Sequence, residues 1–403
     1  MGVKASLIEI DEKKIEFDKS LGIYRNGEDN AYSERMERYK NNSVTASMAS
    51  KIMRQYIVGK GFGDADNLQI GNSKLSEISL DIATDIVDNC GVFIHVNYDG
   101  NFDISDFSVI PFNQCRIGKK DSNEYNGKIL VYHDWTGKID KTKIRTIDIF
   151  NTDKKIIENQ VNKAGGLNKY QGQVLFANMD RQFYYPLARI NGVYLECDNE
   201  YLASVYKNTL LRDGFFGKQI AVTRPLIDES FIIDAKTGST ESIQALREAE
   251  SERKQFKDTI QKFTGVHNNG GILHLEVDYK GDALDDAILF KNIESKIDDK
   301  LFSFTENSSL TKILMAYNNL PVNLVKASEA VFSDSGKSLM TSKETYWENI
   351  TVERSLFERI VNDLMRRKND YVYTEYLSVK PLITKEANPD NVLLEKQKAQ
   401  ATL

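Results

Sequence analysis

The sequence predicts an α+β fold. Two observations carry this. Apolar residues recur at steps of three and four along several separate stretches, and between residue 91 and about 176 that rhythm gives way to short β-branched or aromatic runs divided by turn residues. Composition is the third. Of 403 residues, 41% are hydrophobic and 28% charged, with 19 Phe, 19 Tyr and only 6 Pro. This balance excludes wholesale disorder and supplies material for a large core. The length corresponds to one elaborate or two to three simple domains.

Residues 31–58 read as helical. Tyr32, Met36 and Tyr39 share a face, Asn41-Asn42-Ser43 interrupts with Ser43 as an N-cap, and Val44, Met48, Ile52 and Tyr56 continue at a spacing of four. Gly59-Lys60-Gly61-Phe62-Gly63 stops the segment, because glycine permits a sharp change of direction. A second amphipathic helix is expected near 75–88, with Leu75, Ile78, Ile82 and Ile86 on one side. Gly91–Tyr98, Phe107–Pro111, Lys128–His133 and Lys143–Phe150 read as strands, separated by turns such as Asp99-Gly100-Asn101 and Thr136-Gly137-Lys138. A helix is expected from Pro186, a favoured first-turn residue, to about Asp213 before Gly214. Residues 1–235 are therefore read as one α+β body.

Residues 239–264 predict a strong helix, capped by Ser239 or Thr240 and ended by Gly265. Asn268-Asn269-Gly270-Gly271 is turn material. In Ile272–Tyr279, Leu273, Leu275, Val277 and Tyr279 alternate with His274, Glu276 and Asp278, a strand pattern. Leu284, Ile288, Ile293, Ile297, Leu301 and Phe304 then predict a second helix. Helices of about 20–26 residues would each be ~30–39 Å long. A helix pair carrying a small β tip reads as a projecting arm rather than an enzyme lobe. Residues 317–340 lose periodicity, and so long a connection is functional or disordered. Helical pattern returns at 341–367 through Tyr346, Ile350, Phe357, Ile360 and Leu364. A strand over Tyr371–Val379 and a polar tail are expected to follow.

Chemical motifs are sparse. The formal net charge of −6 argues against tight, sequence-independent DNA binding, though not against a surface that DNA slides past. Cys90, Cys115 and Cys197 form no CxxC and no disulfide framework. The opening MGVKASLIEIDEKKIEFD has no apolar core of the signal-peptide kind, and Met1-Gly2 with Ser6 matches only the outline of a myristoylation motif. No run approaches ~18 apolar residues, so no membrane-spanning helix is expected. The compartment implied is the cytosol or a virus particle.

Ser335-Gly336-Lys337-Ser338 resembles the end of a phosphate-binding loop, but Val331 stands where the first glycine belongs and no good strand precedes it. The Gly59–Gly63 segment lacks the third glycine of a dinucleotide fingerprint, Asp64 standing there, and follows a helix; a turn is the better reading. His267 and His274 have no third ligand at metal-binding spacing, and His95 and His133 fall in strand patterns. The pairs Asp285-Asp286 and Asp298-Asp299 would point in different directions on a helix, as solvated surface does. No catalytic residue, metal or cofactor is expected. Lys326 and Lys337, in the irregular stretch, serve either solubility or electrostatic contact with phosphates.

The arrangement itself supplies a resemblance. Tyr39-Lys40-Asn41-Asn42-Ser43-Val44-Thr45 followed by Tyr56-Ile57-Val58-Gly59-Lys60-Gly61-Phe62 resembles the N-terminal region of tailed-bacteriophage portal proteins, the head-to-tail connector family. Tyr185-Pro186-Leu187 with Arg212-Asp213-Gly214-Phe215 is similar to that family too, as is Phe263-Thr264-Gly265-Val266-His267-Asn268-Asn269-Gly270-Gly271 before its strand. These matches run in order from about residue 30 to 367.

The resemblance implies a non-enzymatic, homo-oligomeric ring, a dodecamer, at one capsid vertex of the virion, assembled in the host cytoplasm. Double-stranded DNA would pass through it during packaging and ejection. Residues 1–235 would be the wing and 236–310 two stem helices with a clip at 266–283. Residues 311–340 would be a tunnel loop offering Lys326 and Lys337 to DNA, and 341–403 a C-terminal helix, strand and tail with little room for a crown. The terminase large subunit would dock on the clip through His267, Asn268, Asn269, His274, Glu276 and Asp278, followed by head-tail connector or adaptor proteins. Major capsid or scaffold protein would meet the wing. The alternatives are another virion component, such as a head-tail adaptor or minor capsid protein, or a nucleotide-dependent or nuclease enzyme built on Ser335–Ser338 or the acidic pairs.

Overall fold

In a computed structural model of the chain, the residues described are 17–18, 20–120, 122, 124–180, 184–213, 219–223, 238, 240–262, 272–276, 288–292, 299–325, 336–369 and 375–382. The first elements are β1 (Phe17–Asp18), β2 (Ile23–Tyr24), α1 (Tyr32–Asn42), α2 (Val44–Val58), β3 (Gln69–Ile70), β4 (Ser73–Lys74) and α3 (Leu75–Asn89). Strands β5 (Gly91–Tyr98), β6 (Ile104–Ile110), β7 (Cys115–Ile117), β8 (Lys128–Val131) and β9 (Arg145–Ile149) follow, then α4 (Lys154–Ala164), β10 (Gln173–Asn178) and α5 (Tyr194–Asp213). The later part holds β11 (Gln219–Thr223), α6 (Thr240–Lys262), β12 (Ile272–Glu276) and β13 (Ile288–Asn292). Helices α7 (Asp299–Ala316), α8 (Val322–Val325), α9 (Gly336–Asn349) and α10 (Thr351–Met365) close it. The fold is α+β, as predicted.

The chain parts into two compact units, residues 1–198 with 309–403 and residues 199–308. The expected boundary at 235/236 falls inside the second unit.

In the first unit, a six-stranded sheet runs in the order β6-β5-β10-β9-β8-β7. All neighbours are antiparallel except β9 and β10. Strand β5 lies between β6 and β10, and its alternation serves two cores. Val92, Ile94 and Val96 join the helices on one side. Phe93 points to the other, stacked on Phe176 with ring centroids 4.2 Å apart and packed with Phe112, Ile129, Ile147 and Tyr185.

Helix α3 covers the first face because Leu75, Ile78, Ile82, Ala83, Ile86 and Val87 recur at helical spacing and are all buried. Each larger aliphatic side chain contributes about 1.5–3 kcal/mol by leaving water. Helices α1 and α2 meet where expected. Ser43 leaves the helical conformation at φ −97°, ψ 120°, and its hydroxyl accepts from Ala46 N–H at 3.0 Å. Ser43→Ala is expected to cost about 1 kcal/mol, read as a lowered denaturation midpoint.

The glycine cluster after α2 is a turn. Gly59, Gly61 and Gly63 have φ of 56°, 73° and 75°. Phe62 N–H donates to both Asp66 carboxylate oxygens at 3.1 Å, so a protein carboxylate sits where a phosphate would have to bind. A Cβ on Gly61 would lie 2.0 Å from Asp66 Oδ2. Gly61→Ala is expected to destabilise the chain by roughly 2 kcal/mol, measured by urea titration, from left-handed backbone strain and the displaced carboxylate.

The C-terminal segment returns to this unit. Tyr346 meets Tyr56 edge-on at 5.1 Å and Phe357 stacks on Phe62 at 5.6 Å. Lys60 N–H donates to Lys380 O at 2.8 Å, and Lys380 N–H to Gly61 O at 2.9 Å.

Four expectations are corrected. The helix expected from Pro186 begins at Tyr194, after a 3-10 turn over Arg189–Gly192. Ala188 N–H is held there by the Tyr32 hydroxyl at 3.0 Å, and the chain enters the turn extended. The second long helix, expected from Leu284, is instead β13 followed by α7 from Asp299. Ile288-Leu289-Phe290 is a continuous apolar run, and β11 binds it edge to edge. The irregular stretch 317–340 holds helix α8, and α9 starts at Gly336, not 341. Residues 375–380 form no ladder, although a strand was expected to reach Val379. Side chains of α10 take their donors: Leu377 N–H bonds Asn362 Oδ1 and Val379 N–H bonds Glu358 Oε1, both at 2.8 Å.

Candidate functional site

The second unit centres on a three-stranded sheet in the order β12-β11-β13. Strands β11 and β12 are parallel, joined through α6, and β13 is antiparallel to β11. This β-α-β unit arises because two parallel neighbours need a long crossover, which α6 provides. The β tip expected between two helices therefore draws one strand from before α6. Register sets His274 opposite Ala221 and Glu276 opposite Thr223, while Leu273 and Leu275 stand opposite Ile220 and Val222. Of the expected docking residues, His274 and Glu276 thus share one strand at alternate positions. His267, Asn268, Asn269 and Asp278 lie outside the described residues, as does Lys326. Lys337 falls in the first turn of α9.

Ser335 also lies outside the described residues, while Gly336, Lys337 and Ser338 open α9. This segment shares with a phosphate-binding loop only its place at a helix start. Of the acidic pairs, Asp299 is the first residue of α7 and the other three lie outside the described residues. Among the described residues, no three His, Cys, Asp or Glu side chains converge to hold a metal ion. Also among them, no helix is long and apolar enough to cross a membrane. Cys115 and Cys197 are buried, and burial pushes the Cys115 thiol up, away from the thiolate.

Two buried arginines organise the first unit. Arg116 is fully buried; it donates to Asn30 Oδ1 and Asn30 O at 2.6 Å and to the carbonyls of Asn113 and Cys115 at 2.7 and 2.8 Å. Arg189 donates to Val87 O, Asn318 Oδ1 and Glu353 Oε1, each at 3.0 Å.

Sequence reasoning passed over a cavity of about 210 Å3 in this unit, lined by residues of α1, α3, the 111–113 segment, Ile190 and Tyr317. Asp85 lines it, its Oδ1 bonded to Asn89 Nδ2 at 3.0 Å. Burial, reinforced by Asp88, Asp81 and Glu37, pushes its carboxyl up to about 8. A signal existed in the sequence: Asp81, Asp85 and Asp88 are like charges at steps of four and three on one helix, an unfavourable spacing.

No family model matches the sequence, and no curated protein matches it. Solved structures do. A chain in the neck of an empty gene transfer agent (GTA) particle, computed with C6 symmetry, shares 13% identity, covering 92% of this chain and 88% of that one, at a TM-score of 0.45. A chain in the virion of the native gene transfer agent particle shares 12% over the same fractions, also at 0.45. An HK97 family phage portal protein from Corynebacterium diphtheriae shares 10%, covering 81% of this chain and 89% of that one, at 0.39.

Proposed function

We propose that this chain is the ring-forming subunit of a phage-type portal, a conduit for double-stranded DNA at one vertex of a virus-like particle. The observation that carries the reading is the ordered set of portal-like motifs, several of which fall on element boundaries of this fold. Asn41-Asn42-Ser43 ends α1 and caps α2. Gly59-Lys60-Gly61-Phe62 is the sharp turn after α2, and Arg212-Asp213 closes α5. The acidic balance of the chain supports a conduit rather than a clamp, since strong static phosphate contacts would hold DNA in place.

In this proposal twelve copies assemble. The terminase large subunit docks on the second unit at His267–Asp278 during packaging, and head-tail connector proteins take the same surface later. Capsid or scaffold protein binds the first unit. Lys326 and Lys337 touch passing phosphates, repeated around the ring, and the hydrolysis of ATP belongs to the docked motor.

Negative-stain imaging and native mass measurement of the full chain test the assembly. Annular particles of twelve copies are expected; a monomer or a non-annular assembly overturns the proposal and favours an adaptor or minor capsid protein. Replacing Lys326 and Lys337 together by glutamine is expected to lower DNA packaging or retention in assembled particles. Unchanged packaging and retention would remove these two residues from the mechanism.

A further inference from the structure

Residues 375–382 lie on the first unit as a bound peptide lies on its receptor. Leu377 and Val379 are buried at alternate positions, while Tyr376, Ser378 and Lys380 are exposed. Five main-chain groups of residues 377–380 are bonded, to partners on two walls. On α10, the buried Asn362 donates from Nδ2 to Leu377 O and accepts Leu377 N–H at Oδ1, both at 2.8 Å. Glu358 Oε1 accepts from Val379 N–H, also at 2.8 Å. On the turn after α2, Lys60 N–H donates to Lys380 O at 2.8 Å and Gly61 O accepts from Lys380 N–H at 2.9 Å. Gly59 leaves room for this approach, since a Cβ there would lie 2.4 Å from Lys380 O and 2.6 Å from Val379 Cγ1. Main-chain bonds combined with pockets for alternate side chains are a general way of recognising an extended peptide.

None of these contacts requires the bound segment to belong to the same chain. Two buried side chains and five bonds are set against the entropy of ordering the segment, so it opens more easily than the helix beneath it. The walls also select their occupant. It needs apolar side chains at the positions of Leu377 and Val379, and no proline at 377, 379 or 380, where the N–H groups donate. Pro381 falls just outside those positions. The sequence whose fit is seen is the chain's own. Asn369 is fixed, its N–H donating to Ile104 O at 2.9 Å, and five residues separate it from Glu375. The segment therefore reaches no further than about 20 Å from Asn369, and only a copy packed alongside offers its groove within that reach. We propose that residues 375–382 are a detachable strap, exchanged between neighbouring copies so that each lies in the groove of the next. The contacts are the same within a chain and between chains, so exchange costs little while it links the copies. The inference rests on the ring proposed above and names a tie between its neighbours.

Tyr376 reports which chain's groove holds the strap. It is exposed, and its ring lies 5.6 Å from the Arg366 guanidinium at the end of α10. In the full chain, Tyr376 is replaced by the photocrosslinker p-benzoylphenylalanine and the assembled protein is irradiated. Covalent multimers are expected, with crosslinks that map to Arg366 and its neighbours. Leu377→Asp together with Val379→Asp charges both buried positions and is expected to lower the multimer yield about tenfold. Lys380→Pro removes one donor and no buried side chain, and is expected to lower the yield as well. Circular dichroism identifies a variant that fails to fold, and the other then decides. Crosslinks to Arg366 within single chains only, in a protein that assembles, overturn the exchange and leave the ring standing. A chain that stays monomeric overturns both. Undiminished multimer yield in a folded variant overturns the exchange alone.

Discussion

Glu353→Ala is expected to destabilise the first unit by about 3–5 kcal/mol, because it leaves a buried guanidinium without its counter-charge. The side chains of Arg189 and Glu353 are only 7% and 6% exposed, and Arg189 Nη2 lies 3.0 Å from Glu353 Oε1. Asn318 Nδ2 donates to the same carboxylate oxygen at 2.8 Å and to Asn349 O at 3.2 Å. The network joins the end of α7 and the start of α10 to α3, through the carbonyl of Val87. It therefore fixes residues that return late in the chain onto the body formed early. Glu353→Gln keeps an acceptor and should cost less. The double replacement Arg189→Met with Glu353→Leu should recover most of the loss, since removing both charges also removes their desolvation cost. Urea unfolding of the natural chain, Arg189→Met, Glu353→Leu and the double variant gives the coupling directly. An alanine variant as stable as the natural chain would show that the pair contributes nothing.

Much of the fold was legible where local chemistry and tertiary packing agree. Ser43 shows this at one residue: a polar break in a helical pattern, a hydroxyl and a cap. Helix α3 shows it at fifteen, because its stripe faces one continuous core. Strand β13 was not legible, since Ile288 belongs to a helical spacing and to a short apolar run alike; pairing with β11 decides, and that partner lies some seventy residues earlier. Strand β11 was absorbed into the first body for the same reason: its parallel partner lies beyond α6. Only the fold brings Asn30 and the carbonyls of Asn113 and Cys115 around Arg116. The cavity was hidden likewise, because Asn113 and Tyr317 are unremarkable in sequence and acquire meaning only beside Asp85. The docking and tunnel residues came from resemblance rather than from local physics, and of them only the strand register of His274 and Glu276 and the helical position of Lys337 can be assigned.

Asp85 also sets an expected dependence of stability on pH. Its carboxyl is held at about 8 in the folded chain, against an ordinary value of about 3.9 when unfolded. Between those values the folded state retains a proton that the unfolded state has released. Stability from this group is therefore fully present below pH ~4 and is lost as pH rises, by up to about 1.4 kcal/mol per unit, levelling off above pH ~8. The charged neighbours act consistently with this. Asp81, Asp88 and Glu37 oppose ionisation, and Lys40, the cation on the same wall, lies 2.7 Å from Asp88 Oδ2. Asp18, Asp29 and Asp99 have carboxyls held below the ordinary range by local hydrogen bonds, so their contributions change only in more acidic solution. Asparagine imitates the protonated acid in shape and hydrogen-bonding capacity. Asp85→Asn is accordingly expected to flatten the stability profile between pH 5 and 8 and to be more stable than the natural chain at pH 8, measured by urea unfolding at fixed ionic strength. A profile identical to that of the natural chain would mean that Asp85 is ionised throughout and that the cavity wall carries more charge than its burial allows.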